Sequence, residues 1–314
     1  MIEHDLFRLF FPYILSGVSI GGQYALIAIG YSMVYSILRL INFAHGDVFM
    51  VGGLFMVFIA ASVGSVWIAI PLVIILIVAL GFTIERVAYK PLRSAPRMSV
   101  MISAIGVSYL LQNLALYFTG GLNRMYPEIP WISDTINVLG FYTRRVTVIT
   151  PFLVIGLVFA LVWLINNTKV GIGMRAAAKD FDTSQLMGIK INSVISTTFI
   201  IGSFLAAIGS ILFFASFPAV FPAAGAMPGL KAFVAAVFGG IGSIPGAVIG
   251  ALLIGVVETI IRGGDIILGP SGLGIISRSM DIAAFSDAFT FVLLVVVLVF
   301  KPTGLFGDKP TDKV

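Results

Sequence analysis

The sequence lacks several kinds of residue, and each absence excludes a kind of site. There is no cysteine, which excludes disulfide bonds and thiolate metal ligands. The two histidines, His4 and His45, cannot form a three-histidine metal centre. No G-x-x-x-x-G-K-[ST] phosphate loop occurs, so we expect no ATP hydrolysis by this chain. An intramembrane serine protease is disfavoured, because Ile241 stands where Ser243 would need a glycine. We predict a protein that is not an enzyme and that binds no metal or cofactor itself.

Charged residues are also scarce, at 11 per cent of 314 residues, whereas hydrophobic residues make up 59 per cent. The mean hydropathy of +1.09 is too high for a water-soluble domain of this length. The composition predicts one all-α transmembrane helix bundle over residues 1–314. A net charge of +5 in so apolar a chain does not indicate a nucleic-acid partner. The first apolar run lacks a basic n-region and a cleavage site, which favours a retained span over a signal peptide.

Apolar runs of about the length that a bilayer requires predict eight membrane segments, at about 11–35, 46–63, 66–84, 98–118, 148–165, 194–216, 229–261 and 286–300. The distribution of lysine and arginine predicts their orientation. The linker 85–97 is strongly basic and is predicted to be cytoplasmic, and the mixed, aromatic linker 119–147 is predicted to be external. Alternation then places the loop 166–193 in the cytoplasm and the amino terminus outside. The basic tail 301–314 is predicted to be cytoplasmic if the segment 229–261 crosses twice as short pieces.

The run 229–261 predicts a broken helix. As one helix it would measure about 50 Å, which is too long for one span and too short for two. The sequence FGGIGSIPGAVIG marks the break with Gly239, Gly240, Ser243, Gly246 and a proline. Broken helices at membrane depth often line a transport path, and glycines also allow helices to pack closely. The two interpretations are compatible, and the span count is eight or nine.

A second polar cluster, INFAHGDVFMVGG at 41–53, opens the second run. Asn42 can cap a helix, and Asp47 in the first turn interacts favourably with the helix dipole. Alternatively, Asn42, His45 and Asp47 line an aqueous path, since polar groups in a membrane are costly unless they are solvated or paired. Gln23, like Gln112 and Asn113, is a polar residue in an apolar run. Such residues form interhelical hydrogen bonds more often than they contact a substrate. Near the end of another run, Glu258 is predicted to pair with Arg262.

The loop 166–193 is the most polar interior stretch. Met174, Ala177, Ala178 and Phe181 follow the i, i+3, i+4, i+7 rule, whereas Arg175 and Asp182 fall on another face. This pattern predicts one amphipathic helix of three or four turns, preceded by Gly171 and Gly173 and followed by Gly188. The helix either lies against lipid headgroups or docks on a partner protein.

Four stretches of the sequence carry a resemblance to a known family: GGQYALIAIGYSMVYSILRLINFAHGDVFMVGG, GIGMRAAAKDFDTSQLMGIKINSVI, KAFVAAVFGGIGSIPGAVIGALLIGVVE and KPTGLFG. Together they resemble the LivH-type permease of bacterial branched-chain amino-acid ABC importers. The resemblance implies a permease in the bacterial inner membrane, with a second permease, two cytoplasmic ATPase subunits that bind ATP, and a periplasmic amino-acid-binding protein as partners. The loop then becomes the coupling helix, with Met174, Arg175, Ala177, Ala178, Phe181, Asp182 and Gly188 at the ATPase. Arg175 stands where other importers have a signature glutamate.

The resemblance and the residue pattern together predict a translocation path near Gln23, Asn42, His45, Asp47, Gly239, Gly240, Ser243 and Gly246. Movement of the docked loop would alternate its access between the two sides. The substrate stays open between branched-chain amino acids and related solutes. An alternative function is an ion-coupled secondary transporter, which would depend on Asp47 or His45. A non-transporting membrane scaffold is the third possibility.

Overall fold

A computed structural model describes residues 2–93, 95–138, 140–267, 282–301 and 303–307, with side chains described from residue 10 onward except at residue 265. The helices are α1 (Ile2–Leu38), α2 (His45–Val63), α3 (Val66–Ile84), α4 (Arg97–Thr119), α5 (Arg145–Asn167), α6 (Lys169–Lys179), α7 (Phe181–Leu186), α8 (Ile191–Ser216), α9 (Ala226–Gly239), α10 (Ile244–Arg262), α11 (Gly264–Ile267) and α12 (Ser286–Phe300). The short strands are β1 (Arg124–Met125), β2 (Thr135–Val138), β3 (Phe141–Arg144) and β4 (Ala219–Val220). The predicted tail beyond residue 307 lies outside the described residues.

Within the described residues, eight helices are long and apolar enough to cross a membrane. They are Phe10–Leu38, His45–Val63, Val66–Leu92, Arg97–Thr119, Arg145–Asn167, Ile191–Ser216, Ile244–Arg262 and Ala283–Phe300. The third continues α3 through a π-helical turn at Glu85–Tyr89 and a 3₁₀ turn at Lys90–Leu92. The polytopic helical fold is therefore confirmed.

The spans divide into a central group and a peripheral group. In α1, α2 and α8 most side chains are buried within the chain, whereas only a minority are buried in α3, α4, α5 and α12. Glycines bring α1 and α10 close together. A Cβ atom on Gly17 would lie 2.6 Å from Val256 Cα, and one on Gly21 would lie 2.7 Å from the Ala251 carbonyl oxygen. Only residues without a side chain allow this approach, which is common between membrane helices.

Polar contacts define two ends of the bundle. At one end, Arg39 donates to the Ala178 carbonyl over 3.3 Å, and Ser196 donates to Glu85 over 2.7 Å. This end therefore carries the turns after α1 and α3 together with the loop 166–193. We call it the coupling-loop end, after the role that the sequence predicts for this loop. At the other end, β1 pairs with β4, β2 pairs with β3, and Arg144 donates to the Ala215 carbonyl over 3.0 Å. The arrangement agrees with the predicted alternation of the linkers.

The segment 229–261 is broken where the glycines predict a break. Helix α9 ends at Gly239 and α10 begins at Ile244, with Gly240 and Gly242 at φ values of 109° and 97° that favour glycine. With 14 residues, α9 measures about 21 Å and is too short to span a bilayer alone. A non-helical segment, 217–225, precedes it and contains β4 and a turn at 222–225.

Candidate functional sites in the coupling loop and at mid-depth

The coupling loop contains two helices rather than the single helix that the sequence predicted. Thr168 caps α6 by accepting a hydrogen bond from the Gly171 amide over 3.1 Å. Gly171 and Gly173 therefore lie inside α6, so their predicted position before the helix was wrong. Asp180 has extended backbone angles that end α6, and its side chain accepts from the Thr183 amide over 3.1 Å to cap α7.

The predicted docking face of this loop is mostly turned towards its own bundle. Met174 and Ala177 are only 5 and 3 per cent exposed, and they pack in the core of the chain, so their side chains are not presented at the surface. Ala178 and Phe181 are half-buried against the same core. Arg175 is exposed, and it donates to the Asn166 side chain over 3.1 Å. It thereby fastens α6 to the end of α5.

The most exposed apolar residues of this loop lie at the end of α7, and Val170 and Ile172 on α6 are exposed to a lesser extent, at 43 and 54 per cent. Leu186 and Met187 are 87 and 79 per cent exposed, and exposed Asp182 and Gly188 lie beside them in the sequence. Sequence reasoning missed this pair because it lies outside the 174–181 periodicity. The available signal was two large apolar residues directly before a glycine, here at φ 83°, in an otherwise polar loop.

A close backbone contact lies at mid-depth in the bundle. The chain folds back after α1, so that α2 begins at His45 beside Gly30 and Gly202. Gly30 is about 12 Å along the helix from the end of α1 at Leu38. Directly after His45, a Cβ atom on Gly46 would lie 2.9 Å from the Gly225 oxygen and 3.0 Å from Gly229 Cα. The beginnings of α2 and α9 therefore meet between the ends of α1 and α8, at Gly46, Gly225 and Gly229, which we call the mid-depth junction.

His45 has an unpaired polar atom at this junction, as Gln23 has at its Oε1 atom elsewhere on α1, within the described part of the chain. Its ring is buried and meets the Tyr31 ring edge-on at 5.2 Å. Its Nε2 atom is buried without a hydrogen-bond partner in the described part of the chain and points at Gly30. Any larger residue than glycine at position 30 would overlap the imidazole.

Asn42 and Asp47, on either side of His45, are paired with neighbouring helices. Asn42 accepts from the Tyr89 hydroxyl over 2.7 Å, and it does not cap α2, whose N-cap is Ala44. The capping role predicted for Asn42 was therefore wrong. Asp47 lies in the first turn of α2 as predicted, and it accepts from Gln112 over 3.0 Å and from Ser108.

The other glutamine and asparagine of the apolar runs are also hydrogen-bonded. Gln23 on α1 donates to the Leu212 carbonyl and to Ser216 on α8, over 3.4 and 3.2 Å. The interhelical interpretation therefore describes Gln23, as it does Gln112. Asn113 instead donates to a carbonyl of its own helix.

The glycine cluster at the helix break is closely packed. A Cβ atom on Gly239 would overlap the Gly246 backbone, so the two ends of the break are in contact. Ser243 accepts from the Gly246 amide over 3.2 Å and caps α10. Because Gly242 lies against Ser36 near the end of α1, the break lies at the coupling-loop end. The predicted path residues of the helix break thus lie at the coupling-loop end, whereas His45 lies at the mid-depth junction.

The motif KPTGLFG, which the sequence marks without assigning a role, caps the break. The amides of Leu305 and Phe306 each donate over 2.9 Å, to the Phe238 and Gly239 carbonyls that end α9. A Cβ atom on Gly304 would lie 2.6 Å from the Gly240 backbone. The described part of the tail therefore lies at the coupling-loop end, as predicted.

Comparison with known proteins agrees with this architecture. The family model described as "Branched-chain amino acid transport system / permease component" matches residues 13–298. The chain belongs to this family.

Among its relatives, the permease BraD of Pseudomonas aeruginosa is 38 per cent identical over 96 per cent of this chain and 97 per cent of its own. LivH of Escherichia coli K12 is 36 per cent identical over 99 per cent of both chains. Both are named high-affinity branched-chain amino acid transport system permease proteins. A probable LivH of Methanocaldococcus jannaschii is 24 per cent identical over 90 per cent of this chain and 88 per cent of its own.

A buried charge cluster in this branched-chain permease joins α9, α10 and α12. The predicted pair is confirmed, with Arg262 Nη2 2.6 Å from Glu258 Oε1. Lys231 on α9 was missed, because it stands alone in an apolar run. Its ammonium lies 2.7 Å from Glu258 Oε1 and 2.6 Å from Asp287 Oδ1, while the Tyr24 hydroxyl donates to Glu258 over 3.5 Å. The cations Lys231 and Arg262 and the two carboxylates thus hold α9 against α10 and α12.

Proposed function

We propose that this permease is the membrane-spanning subunit of an ATP-driven importer of branched-chain amino acids or chemically related solutes. Support comes from family membership, from the names of the relatives and from eight helices that can cross a membrane. Its partners would be a second permease, two ATPase subunits that carry the ATP, and a periplasmic binding protein. The membrane would be the bacterial cytoplasmic membrane, with the coupling-loop end in the cytoplasm.

The observation that carries the proposal is the exposed apolar end of α7. Side-chain caps begin both helices of the loop, and Met174 and Ala177 fix α6 to the bundle. This buried face is not available to lipid headgroups, whereas Val170 and Ile172 of the same helix are exposed. Leu186 and Met187 instead present apolar surface beside a polar loop, as expected of an anchor for a pocket on a partner protein.

Force applied to Leu186 and Met187 has short routes into the central helices. Helix α7 joins α8 through Gly188–Lys190, and α8 is among the most buried spans. The loop also accepts the Arg39 hydrogen bond at Ala178, next to the segment that folds back to the mid-depth junction. Closure of the ATPase subunits would therefore move the beginnings of α2 and α9 together with the loop.

The cargo is an apolar side chain with a zwitterionic head, and the path needs apolar walls with a few dipoles. The helix beginnings at the mid-depth junction, with His45 and Asp47 beside them, supply dipoles at the depth where transporters bind. Gly239, Gly240, Ser243 and Gly246 would act at the coupling-loop end, as a packed turn rather than as a binding site. Selection among solutes would fall mainly to the binding protein.

The test is copurification of ATPase subunits with variants that place one charge at either end of the bundle. Met187→Asp changes the proposed docking residue, and Met125→Asp is the matched control, because Met125 is 80 per cent exposed at the opposite end. ATPase subunits should copurify with the wild type and with Met125→Asp, but not with Met187→Asp. All three proteins should elute as single symmetric peaks in detergent, which shows that they are folded.

Leucine uptake into proteoliposomes that contain the full complex should fall in parallel with ATPase binding in Met187→Asp. Full ATPase binding by a folded Met187→Asp protein would show that α7 is not the docking site. No ATPase with the wild type would remove the importer function itself.

A further inference from the structure

A cleft opens between the beginnings of α6 and α8. It has a volume of about 340 Å³, and the residues that line it include Lys169, Val170 and Ile172 of α6 and Lys190, Ser193 and Thr197 at the beginning of α8. Positions 190, 193 and 197 follow helical spacing and therefore form one stripe along α8. We call this cavity the α6–α8 cleft. The exposed end of α7 is not part of its lining.

The α6–α8 cleft lies at the boundary of the bilayer. Helix α5 ends directly before α6, and both α5 and α8 are long and apolar enough to cross a membrane. Thr197 lies about 9 Å along α8 from Ile191, so the cleft extends from the surface to the level where acyl chains begin. Trp163, one turn before the end of α5, is exposed, as is common for tryptophan at a membrane interface.

The charge of the cleft favours an anion. Lys169 and Lys190 are both exposed, and neither takes part in an ion pair with a carboxylate among the described residues. The N-cap residue of α8 is Lys190, which makes no side-chain cap, so the positive end of the helix dipole adds to the field of the two lysines. The Ser193 hydroxyl can donate a hydrogen bond to a phosphate oxygen.

The rest of the lining is apolar, which distinguishes the cleft from a site for a soluble anion. Val170 and Ile172 expose about half of their surface, although they lie beside a charged residue. The Thr197 hydroxyl already donates to the Ser193 carbonyl over 2.8 Å. Next to the cleft runs α5, few of whose side chains are buried within the chain, so its surface suits lipid. The cleft therefore fits a ligand with an anionic end and an apolar end.

We propose that the α6–α8 cleft binds one anionic phospholipid. The phosphate would lie between Lys169 and Lys190, and the acyl chains would extend along Val170, Ile172 and the exposed side of α5. Basic pockets between membrane helices select such headgroups. A lipid bound there would join the beginnings of α6 and α8, and the position of the coupling loop would then depend on the lipid composition. This proposal requires a bilayer but no ATPase, so it is independent of the importer function.

Native mass spectrometry of the full-length protein tests the site. The protein is titrated in detergent with dioleoylphosphatidylglycerol, which is anionic, or with dioleoylphosphatidylcholine, which has the same acyl chains but no net charge. The wild type should retain one phosphatidylglycerol per chain and lose phosphatidylcholine. Lys169→Gln combined with Lys190→Gln should weaken phosphatidylglycerol binding about 25-fold, which is about fivefold for each lysine near an anionic headgroup.

Two further double variants serve as controls. Arg86→Gln with Lys179→Gln removes two exposed charges from the same end of the bundle but outside the cleft, and it should bind like the wild type. Lys169→Arg with Lys190→Arg keeps the charge and should also bind. A single symmetric peak in detergent shows that each variant is folded.

Competition identifies the source of the phosphate. Inorganic phosphate and glycerophosphoglycerol, the headgroup without acyl chains, should not displace the lipid, and displacement by either would indicate a site for soluble anions instead. Equal binding of the two lipids, or equal losses in the two glutamine variants, would overturn the proposal. So would a cleft variant that keeps the lipid but loses ATPase copurification, because the cleft would then be an ATPase contact. Absence of ATPase from the wild type would contradict only the importer function.

Discussion

Replacing Lys231 with methionine tests whether the buried charge cluster holds α9 in place. The side chain of Lys231 is 3 per cent exposed, and its ammonium lies within 2.7 Å of Glu258 on α10 and 2.6 Å of Asp287 on α12. Methionine preserves the length and apolar stem of the side chain but removes the charge. The cluster would then contain two carboxylates and only Arg262.

The expected loss of stability follows from what remains in the cluster. Removing one partner of a buried ion pair typically costs about 3–5 kcal/mol, because the remaining charge stays buried. Arg262 remains 2.6 Å from Glu258, and Asp287 is 42 per cent exposed and can be hydrated. The lower end, about 3 kcal/mol, therefore applies. That loss corresponds to on the order of a 100-fold change in the unfolding equilibrium.

Unfolding by SDS in mixed micelles, followed by tryptophan fluorescence, measures this free energy. Lys179→Met is the matched control, since Lys179 is exposed on α6 and a surface lysine contributes only about 0–1 kcal/mol. Adding Asp287→Asn to Lys231→Met restores the charge balance and should recover most of the loss. Equal stability of Lys231→Met and Lys179→Met would refute the idea that the cluster anchors α9.

Three further changes test the other parts of the structure. Gly304→Ala should lower leucine uptake by displacing the cap on α9, whereas Gly120→Ala, which has a similar positive φ but open space around it, should leave uptake unchanged. Gly225→Ala should destabilise the bundle by about 3 kcal/mol, because the added methyl group meets backbone at the mid-depth junction. The control is Gly106→Ala, in open space on α4. In the same SDS titration it should be neutral or up to about 1 kcal/mol more stable. Asp47→Asn should retain ATP-dependent uptake, and a protonophore should not abolish that uptake. If the substitution or the protonophore abolished uptake, an ion-coupled carrier would be favoured.

The membrane spans and the helix break could be predicted because both depend on local composition. A run of apolar residues must be buried in protein or lipid, whatever the rest of the chain does. Five special residues within eight positions, four glycines and Pro245, cannot continue a helix comfortably. The same reasoning placed Asp47 in the first turn of α2 and paired Glu258 with Arg262 one turn away, because these relations also lie within a few residues.

The features that the sequence did not predict depend on contacts between distant segments. The periodicity around Met174 was recognised, but which side of the helix faces the bundle depends on how α6 packs against its neighbours. Asp180 interrupts that helix through one residue's backbone angles, which periodicity does not record. Lys231 acquires its partners only when three helices assemble, and the tail motif acquires its role only by docking on α9.

The docking of residues 305–306 on α9 also bears on how this permease is made in the cell. Ribosomes synthesise α9 before α10 and α12. The carbonyls of Phe238 and Gly239 therefore have no hydrogen-bond donors from residues 305–306 until those residues have been synthesised. Because α9 is also too short to be retained as a span by itself, the membrane insertion machinery must release it before its position is fixed. The final arrangement of the half-helix is therefore a late event in biogenesis. Nascent chains stopped before Gly304 should expose α9 to the proteases that remove unfinished membrane proteins.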